Sequence, residues 1–187
     1  MLHRIFIAIN LPQKSKEQLL KWQHQWPELK ARWTTEENLH LTLAFLGNTS
    51  DQELAEVCNL LKQVGERHSP FSVEFTSIAY GPSSANPRMI WAVGKKSSEL
   101  LALQKDIENT LVNSNQIHFQ RESRPFSLHL TLARLKAFEL QRLDAEEFPE
   151  VHEDVSISLE AKSFEVMEST LKRSGAEYAI LQSIPLG

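Results

Sequence analysis

Two identical tetrapeptides bring together residue types that could carry out proton transfer. His-Leu-Thr-Leu occurs at residues 40–43 and again at 129–132, once in each half of the 187-residue chain. In a β-strand of this sequence, His and Thr point to one face and both Leu residues point to the other. Two such strands brought together would place two imidazoles and two hydroxyls in one groove. These groups are suited to acid–base chemistry on a phosphate.

Each residue type has a distinct use when an oxygen is displaced from phosphorus. Attack by water requires one proton to leave the water and another to reach the departing oxygen. Histidine, with an ordinary pKa of about 6.5, can fill either role, so His40 and His129 are the candidate acid and base, and the identical motifs leave open which is which. The hydroxyls of Thr42 and Thr131 can donate to phosphate oxygens. We expect neither a metal nor an organic cofactor.

A purely structural strand would show the same alternation. One copy of such a strand, with one face toward solvent, needs no functional explanation. The alternation does not explain why the polar residues are the same two types in both copies. We therefore interpret the pair of motifs as functional.

The elements that must position the motifs follow a repeated order. Periodicity and turn residues predict strands at residues 4–10, 39–46, 71–78, 89–93, 128–135, 155–159, 163–167 and 178–182. Helices are predicted at residues 14–26, 98–111 and 139–147. A further helix is predicted to begin at a capping box formed by Ser50 and Glu53. Each half reads helix, motif strand, helix and two strands. This order predicts two α+β lobes related by a pseudo-two-fold, with the motif strands facing across a cleft.

The composition restricts the class of protein. The formal net charge is −4, so we do not expect binding along long stretches of nucleic acid, whereas an RNA end needs only a few local cations. Cys58 is the only cysteine, which excludes disulfides within the chain and favours a reducing compartment. The apolar run at residues 5–9 is too short for a signal sequence, and no segment is long enough to span a membrane. The expected location is cytoplasmic.

The residues around both motifs resemble a known family. Residues 38–47, Asn-Leu-His-Leu-Thr-Leu-Ala-Phe-Leu-Gly, and residues 129–134, His-Leu-Thr-Leu-Ala-Arg, resemble the two signatures of the 2H phosphoesterases. The resemblance continues at residues 4–9, 88–93 and 178–186, nearly from end to end. Within this superfamily the chain looks like the bacterial RNA 2′,3′-cyclic phosphodiesterases, historically named 2′-5′ RNA ligases.

The resemblance implies a fold, an activity and residue roles. The fold would be α+β and bilobal, with two pseudo-symmetric lobes of antiparallel sheet, helices outside and a central cleft, as a single domain over residues 1–187. The activity would be hydrolysis of a terminal 2′,3′-cyclic phosphate of RNA to a 2′-phosphomonoester, together with reversible 2′-5′ ligation. His40 would be the proton donor to the ribose 3′ oxygen, and His129 the proton acceptor that activates water. Thr42 and Thr131 would bind the phosphate oxygens.

Two residues close to the motifs depend on the path of each strand. Arg134 matches an arginine that the family uses at the cleft to bind substrate phosphate. Strict alternation from His129 points position 134 to the opposite face, so Arg134 reaches the cleft only if the strand twists, bulges or ends there. The same alternation places Phe45 on the buried face, and we expect it in the core.

Other aromatic and basic residues are weaker candidates. Trp91 is expected in the core or at the lobe interface. Trp33, in a predicted loop before the first motif, is assigned to the core or interface, with stacking on a base as the alternative. Three arginines are further candidates for RNA-backbone contacts, with plain solvation as the alternative: Arg88, Arg121 and Arg124.

Two other functions are compatible with the same residues. The cleft could bind nucleotides or RNA ends without turnover, or it could act as a phosphodiesterase on small cyclic-phosphate nucleotides. The expected partners are therefore RNA 3′ ends or small cyclic-phosphate nucleotides, without a metal or a membrane. The chain is expected to be a monomer.

Overall fold

Two antiparallel β-sheets carry one motif strand each. The computed structural model describes residues 1–136, 149–172 and 175–187, and the helix predicted at 139–147 lies outside them. The strands of the first sheet, numbered along the chain, are β1 (Leu2–Asn10), β3 (His40–Ser50), β8 (Ser163–Lys172) and β9 (Gly175–Pro185). They lie in the order β3-β1-β8-β9, so the first motif strand is at an edge.

The second sheet holds the other motif strand near its edge. Its strands are β2 (Ala31–Trp33), β4 (Phe71–Gly81), β5 (Met89–Lys95), β6 (His129–Leu135) and β7 (His152–Ala161). Their order is β2-β6-β5-β4-β7, and every pairing described in both sheets is antiparallel. The predicted α+β fold with two antiparallel lobes is confirmed.

The lobes do not coincide with the two halves of the chain. The first sheet combines β1 and β3 with β8 and β9 from the C-terminal half, and the second sheet pairs β5 with β6 across the middle of the sequence. What repeats is a smaller unit, in which a strand, a helix and the motif strand follow one another and the two strands pair. Asn10 lies opposite His40 in the first copy, and Val93 lies opposite His129 in the second.

Within the described residues, three α-helices pack against the faces of the sheets that carry the motif leucines. Their bounds are α1 Gln13–Leu20, α2 Asp51–Gly65 and α3 Ser98–Val112. The predicted capping box is present at the start of α2, where Ser50 and Glu53 bond each other's backbone N–H groups. The first helix is shorter than predicted, because it continues after Leu20 as a 3₁₀ turn, Lys21–His24.

One hydrophobic core anchors both motif strands. Leu41 and Leu43 from β3 and Leu130 and Leu132 from β6 are buried in the same cluster as the apolar faces of α2 and α3. Each such leucine contributes about 1.5–3 kcal/mol by leaving water. The opposite face of each motif strand, which carries His and Thr, is thereby held in a fixed orientation toward the other lobe.

The first motif strand is longer than its sequence indicates. The sequence predicts a strand at residues 39–46, which would end just before Gly47, but β3 continues to Ser50. Gly47 has a φ of +76°, which glycine adopts without a steric penalty, and it pairs with Ile5 across an irregular step that skips Leu46. Glycine here forms a bulge within the strand rather than its end.

Candidate active site

The motif strands expose their polar residues and bury their leucines, as predicted. His40, Thr42, His129 and Thr131 are all partly exposed, and the intervening leucines are buried. The two strands also approach each other, since Cα atoms of β3 and β6 lie within 8 Å across the junction of the two sheets. Both His-x-Thr faces are therefore near one groove, which we call the cleft.

A β-bulge interrupts the second motif strand directly after its threonine. Trp91 lies opposite Thr131, and its neighbour Ile90 lies opposite Ala133, so Leu132 is skipped in the register. One skipped residue reverses the alternation of every side chain beyond it. Arg134 is consequently exposed on the same face as Thr131. A cleft position for this arginine required an irregularity in the strand, and this bulge supplies it.

The contacts of Arg134 agree with this placement. Its Nη1 lies 3.7 Å from the Met89 sulfur, and Thr131 Oγ1 lies 3.9 Å from the same sulfur. Because Met89 is directly opposite Arg134 on β5, the three side chains share one face of the sheet. A thioether sulfur is a weak acceptor, so both donors remain available to a stronger one, such as a phosphate oxygen.

The first motif strand has the same bulge at the corresponding place. Ala8 lies opposite Thr42 and Ile7 lies opposite Ala44, so Leu43 is skipped. The expectation that Phe45 belongs to the core is therefore wrong: its side chain is 54% exposed. Phe45 occupies in the first lobe the position that Arg134 occupies in the second.

Thr34 binds the bulge of the second motif strand through two hydrogen bonds. Its backbone N–H donates to the Leu132 carbonyl at 2.8 Å, and its hydroxyl donates to the Thr131 carbonyl at 2.9 Å. Both carbonyls belong to the bulge, where the regular ladder is interrupted. Thr34 immediately follows β2, a strand that the sequence did not predict and that includes Trp33, which packs against the core.

Both motif histidines make the same backbone hydrogen bond. His40 Nδ1 lies 2.7 Å from the Asn38 carbonyl oxygen, and His129 Nδ1 lies 2.9 Å from that of Ser127, in each case two residues earlier. A carbonyl oxygen can only accept, so Nδ1 carries the proton and donates it. The neutral ring then has an unprotonated Nε2, which can accept a proton as a base or return one as an acid.

Aromatic rings enclose His40. Its ring centroid is 4.9 Å from that of Phe6 and 4.9 Å from that of Tyr178, which meets it edge-on. Burial is the largest cause that lowers the pKa of His40 to about 4, and the charges of Arg134 and Lys16 lower it further. The Asn38 carbonyl opposes this shift. His40 is therefore neutral at neutral pH in the absence of substrate.

His129 is less enclosed and rests on one aromatic ring. Trp91 stacks on it with a centroid separation of 3.9 Å and an interplanar angle of 28°. Burial lowers the pKa of His129, while the Ser127 carbonyl and the charge of Glu122 act to raise it. Trp91 was expected in the core or at the lobe interface, but it forms one wall of this site instead.

A buried carboxylate lies on the cleft face of the first sheet. Glu165 is directly opposite Ala8, which is itself opposite Thr42, so these residues form one row across three strands. The carboxylate accepts from the Asn10 backbone N–H at 2.8 Å and from two serine hydroxyls, Ser163 at 2.6 Å and Ser183 at 3.2 Å. These bonds fix the end of β1 where it supports His40.

Sequence reasoning identified the polar residues of the site and missed its aromatic ones. Phe6 and Tyr178 come from strands of opposite ends of the chain, and nothing in their local pattern marks them. Of the three arginines proposed for the RNA backbone, Arg121 is bonded to Asn109, the first residue of the last turn of α3. Among the described residues, neither Arg88 nor Arg124 contributes to the pKa shift of His40 or of His129.

Two antiparallel lobes that each present a His-x-Thr strand to a shared cleft define the architecture of the 2H phosphoesterases. The sequence supports this independently, because residues 9–91 and 93–178 match the family described as LigT like Phosphoesterase. The chain belongs to this family, and the resemblance noted from the sequence is confirmed.

Relatives with known names and solved structures are similar to this protein over nearly the whole chain. The RNA 2′,3′-cyclic phosphodiesterase of Methanocaldococcus jannaschii is 30% identical over 180 residues, which is 96% of this chain and 98% of the relative. A protein of the same name from Thermus thermophilus is 27% identical over 188 residues, covering 98% and 90%. E. coli LigT, crystallised with 3′-AMP, gives a TM-score of 0.78 at 25% identity and covers 100% of this chain and 99% of LigT.

A second solved structure, also from Thermus thermophilus, gives a TM-score of 0.83 at 26% identity, covering 98% of this chain and 97% of the other. E. coli LigT has also been crystallised with ATP, at 26% identity to this chain and a TM-score of 0.74, covering 100% and 99%.

In the part of the chain that the structure describes, no helix combines the length and apolarity that crossing a membrane requires.

Proposed function

We propose that the protein hydrolyses RNA 2′,3′-cyclic phosphate ends to 2′-phosphomonoesters, without a metal, through His40 and His129. The observation that carries this proposal is the matched pair of imidazoles, each with Nδ1 bonded to a carbonyl and Nε2 left for the reaction. The names of relatives that match over nearly the whole chain support the same activity.

The reaction distributes two protons between the two histidines. His129 Nε2 removes a proton from water as the water oxygen attacks phosphorus, and the bond between phosphorus and O3′ breaks. His40 Nε2–H gives its proton to O3′, which leaves as the ribose 3′-hydroxyl. The product retains phosphate on O2′, and proton exchange with solvent restores both rings.

Three side chains stabilise the charge that develops on the phosphate. Thr42 and Thr131 donate hydroxyl hydrogen bonds to the non-bridging oxygens, one from each lobe. Arg134 adds a charged donor on the Thr131 side, where the bulge exposes it. Donors fixed in this way before the reaction are the largest source of rate enhancement in many enzymes.

The lowered pKa of His40 has a consequence for the acid role. At a pKa of about 4 the free imidazole is neutral at pH 7. The cyclic phosphate is an anion, and its charge offsets that of Arg134 beside His40. We therefore propose that His40 takes up its proton together with the substrate, whereas His129 stays neutral as the base.

The same groups support 2′-5′ ligation through the same displacement at phosphorus. If a 5′-hydroxyl replaces water as the attacking group, the bond to O3′ breaks as before and a 2′-5′ phosphodiester forms. The two proton transfers are the same as in hydrolysis, since His129 removes the hydroxyl proton and His40 protonates O3′. Hydrolysis and ligation would then differ only in the attacking oxygen.

A chelator-treated sample tests the proposal directly. Oligoribonucleotides ending in a 2′,3′-cyclic phosphate are incubated with the protein, and the 2′- and 3′-phosphomonoester products are separated by chromatography. We expect full turnover after chelation and a 2′-phosphate product. His40→Ala and His129→Ala should each lower kcat by about 10²–10⁴-fold, and the exposed His152→Ala serves as the matched control.

Three outcomes would contradict the proposal or part of it. Unchanged turnover in either histidine variant would remove the acid–base mechanism, and loss of turnover on chelation would remove metal independence. Tight binding of the oligonucleotide without product would indicate a binding module. LigT was crystallised with 3′-AMP and with ATP, so a mononucleotide 2′,3′-cyclic phosphate is assayed in parallel as the small-substrate alternative.

A further inference from the structure

Four basic residues form two cross-strand pairs beside the second motif. Arg32 on β2 lies directly opposite Arg134 on β6. One step beyond the pair formed by Ala31 and Leu135, the Lys136 N–H donates to the Lys30 carbonyl at 3.0 Å, which places Lys30 opposite Lys136. All four basic side chains are exposed. We call them the cation ladder: Lys30, Arg32, Arg134 and Lys136.

The cation ladder lies on the cleft face of the second sheet. Leu135 is part of the hydrophobic core and Ala31 packs against it, so the residues on either side of them point away from the core. Arg134 already shares the cleft face with Thr131. Residues directly opposite on paired strands share a face, so Arg32 joins it, and the lysine pair follows two residues along.

Such an arrangement costs folding free energy. Like charges directly opposite each other on neighbouring strands are destabilising, and this chain has an excess of acidic residues, with a net charge of −4. In residues 1–136, 149–172 and 175–187, no carboxylate forms an ion pair with Lys30, Arg134 or Lys136. The concentration of positive charge at this place therefore points to an anionic ligand.

Arg32 extends the ladder toward the first lobe. A side chain at Gly175 would overlap the Arg32 guanidinium, so the start of β9 lies directly against it. The neighbouring Ala176 carbonyl accepts a hydrogen bond from Asn38 Nδ2 at 3.0 Å, just before the first motif. The ladder thus begins beside the reacting groups and reaches the side of the cleft where both lobes meet.

The two lobes differ at this point although their motifs are identical. In the first lobe the bulge exposes Phe45, which lies opposite Phe6 with a ring separation of 6.0 Å. In the second lobe the same bulge exposes Arg134, followed by the other cations. An aromatic surface suits a base, and a row of cations suits successive phosphates.

We propose that the three outer members of the cation ladder, Lys30, Arg32 and Lys136, bind the backbone phosphates of the RNA chain that precedes the terminal cyclic phosphate, while Arg134 contacts the cyclic phosphate itself. This inference rests on the proposed function, and it assigns an oligoribonucleotide rather than a mononucleotide as the substrate. A 2′,3′-cyclic phosphate lies at a 3′ end, so the rest of the RNA chain extends from the site in one direction only. A row of phosphate contacts on one side of the site is then sufficient, and we call this row the track. The two rows of the ladder are about 7 Å apart along the strands.

Removal of the outer pair tests the track without altering the reacting groups. In Lys30→Gln/Lys136→Gln, KM for a cyclic-phosphate oligonucleotide should rise at least about tenfold while kcat is retained. The slope of log(kcat/KM) against log salt should fall by about 1.4, which is the value for two phosphate contacts on a single strand. KM for a mononucleotide 2′,3′-cyclic phosphate should change much less.

A control variant that loses the same number of positive charges elsewhere separates the effect of the track from that of the overall charge of the protein. Lys62→Gln/Lys105→Gln removes two exposed lysines from α2 and α3, which pack on the core side of the sheets. This control should leave KM for the oligonucleotide within about twofold. Arg32→Gln alone should give part of the effect on KM and should reduce the salt slope by about 0.7.

The outcomes distinguish this inference from the proposed function. Equal changes in KM for both substrates, or no change for the oligonucleotide, would overturn the track while leaving cyclic-phosphate hydrolysis intact. If the unaltered protein turns over neither substrate, hydrolysis fails, and the track is then tested by fluorescence anisotropy with a labelled oligonucleotide that ends in a 2′-phosphate. Equal affinity of the unaltered protein and the double variant for that probe would overturn the track as well.

Discussion

The guanidinium of Arg134 in the second lobe acts on the imidazole of His40 in the first. His40 is held at a pKa of about 4 chiefly by burial, and the positive charge of Arg134 lowers the pKa further across the cleft. Identical motifs therefore have different electrostatic surroundings. Burial also lowers the pKa of His129, but Arg134 does not contribute to that shift, and the charge of Glu122 opposes it.

Replacing Arg134 by glutamine should change both the pKa of His40 and turnover. Removal of a positive charge favours the protonated imidazole, so the pKa of His40 should rise in the variant, as measured by NMR titration of its ring protons. Loss of a charged donor to the phosphate should lower kcat/KM by about 10²-fold. Lys16→Gln is the matched control, because Lys16 also lowers this pKa and has no assigned phosphate contact. An unchanged His40 pKa in both variants would contradict this electrostatic link.

The same histidine should make the free energy of unfolding depend on pH. Its pKa is lower in the folded chain, at about 4, than the ordinary value of 6.5. As pH falls through this interval the unfolded chain gains a proton that the folded chain does not, so stability is present above pH 6.5 and is lost toward pH 4. The loss from this group is about 3 kcal/mol.

His40→Asn isolates that contribution, because the asparagine amide can still donate to the Asn38 carbonyl. Denaturant unfolding at pH 7 and pH 4.5 should show a smaller decrease in the free energy of unfolding for this variant than for the unaltered protein. His152→Asn, at an exposed position, should reproduce the unaltered decrease. If the free energy of unfolding depends on pH in the same way for all three proteins, the pKa of His40 is not lowered in the folded state.

The parts of the site that follow from alternation and composition could be read from the sequence, and the parts created by irregular pairing could not. His40 and Thr42 were placed correctly because they precede the bulge. Phe45 lies after it and was assigned to the wrong face, since one skipped residue reverses the parity. Tyr178 reaches His40 only through pairing of strands from opposite ends of the chain, and a local pattern does not report such pairing.

Thr34 should control the activity through the bulge that it binds. Thr34→Val removes the hydroxyl hydrogen bond to the Thr131 carbonyl, at a cost of about 1 kcal/mol in stability. Because the bulge sets the direction of Arg134, kcat should fall about tenfold, a larger effect than the change in stability produces under native conditions. Thr34→Ser retains the hydroxyl and should restore kcat. Equal kcat values for the Val and Ser variants would show that the bulge is held without this bond.

Phe45→Ala distinguishes a cleft residue from a core residue by the size of its effects. A core phenylalanine would cost about 3–5 kcal/mol on truncation to alanine. With 54% of its surface exposed, Phe45 should instead cost about 1 kcal/mol or less in thermal or denaturant unfolding. If its ring stacks on the terminal base, KM for the cyclic-phosphate oligonucleotide should rise about tenfold, in line with stacking energies of about 1–3 kcal/mol. Phe45→Trp should retain a low KM because it preserves the aromatic surface, and equal KM values for the Ala and Trp variants would exclude stacking at this position.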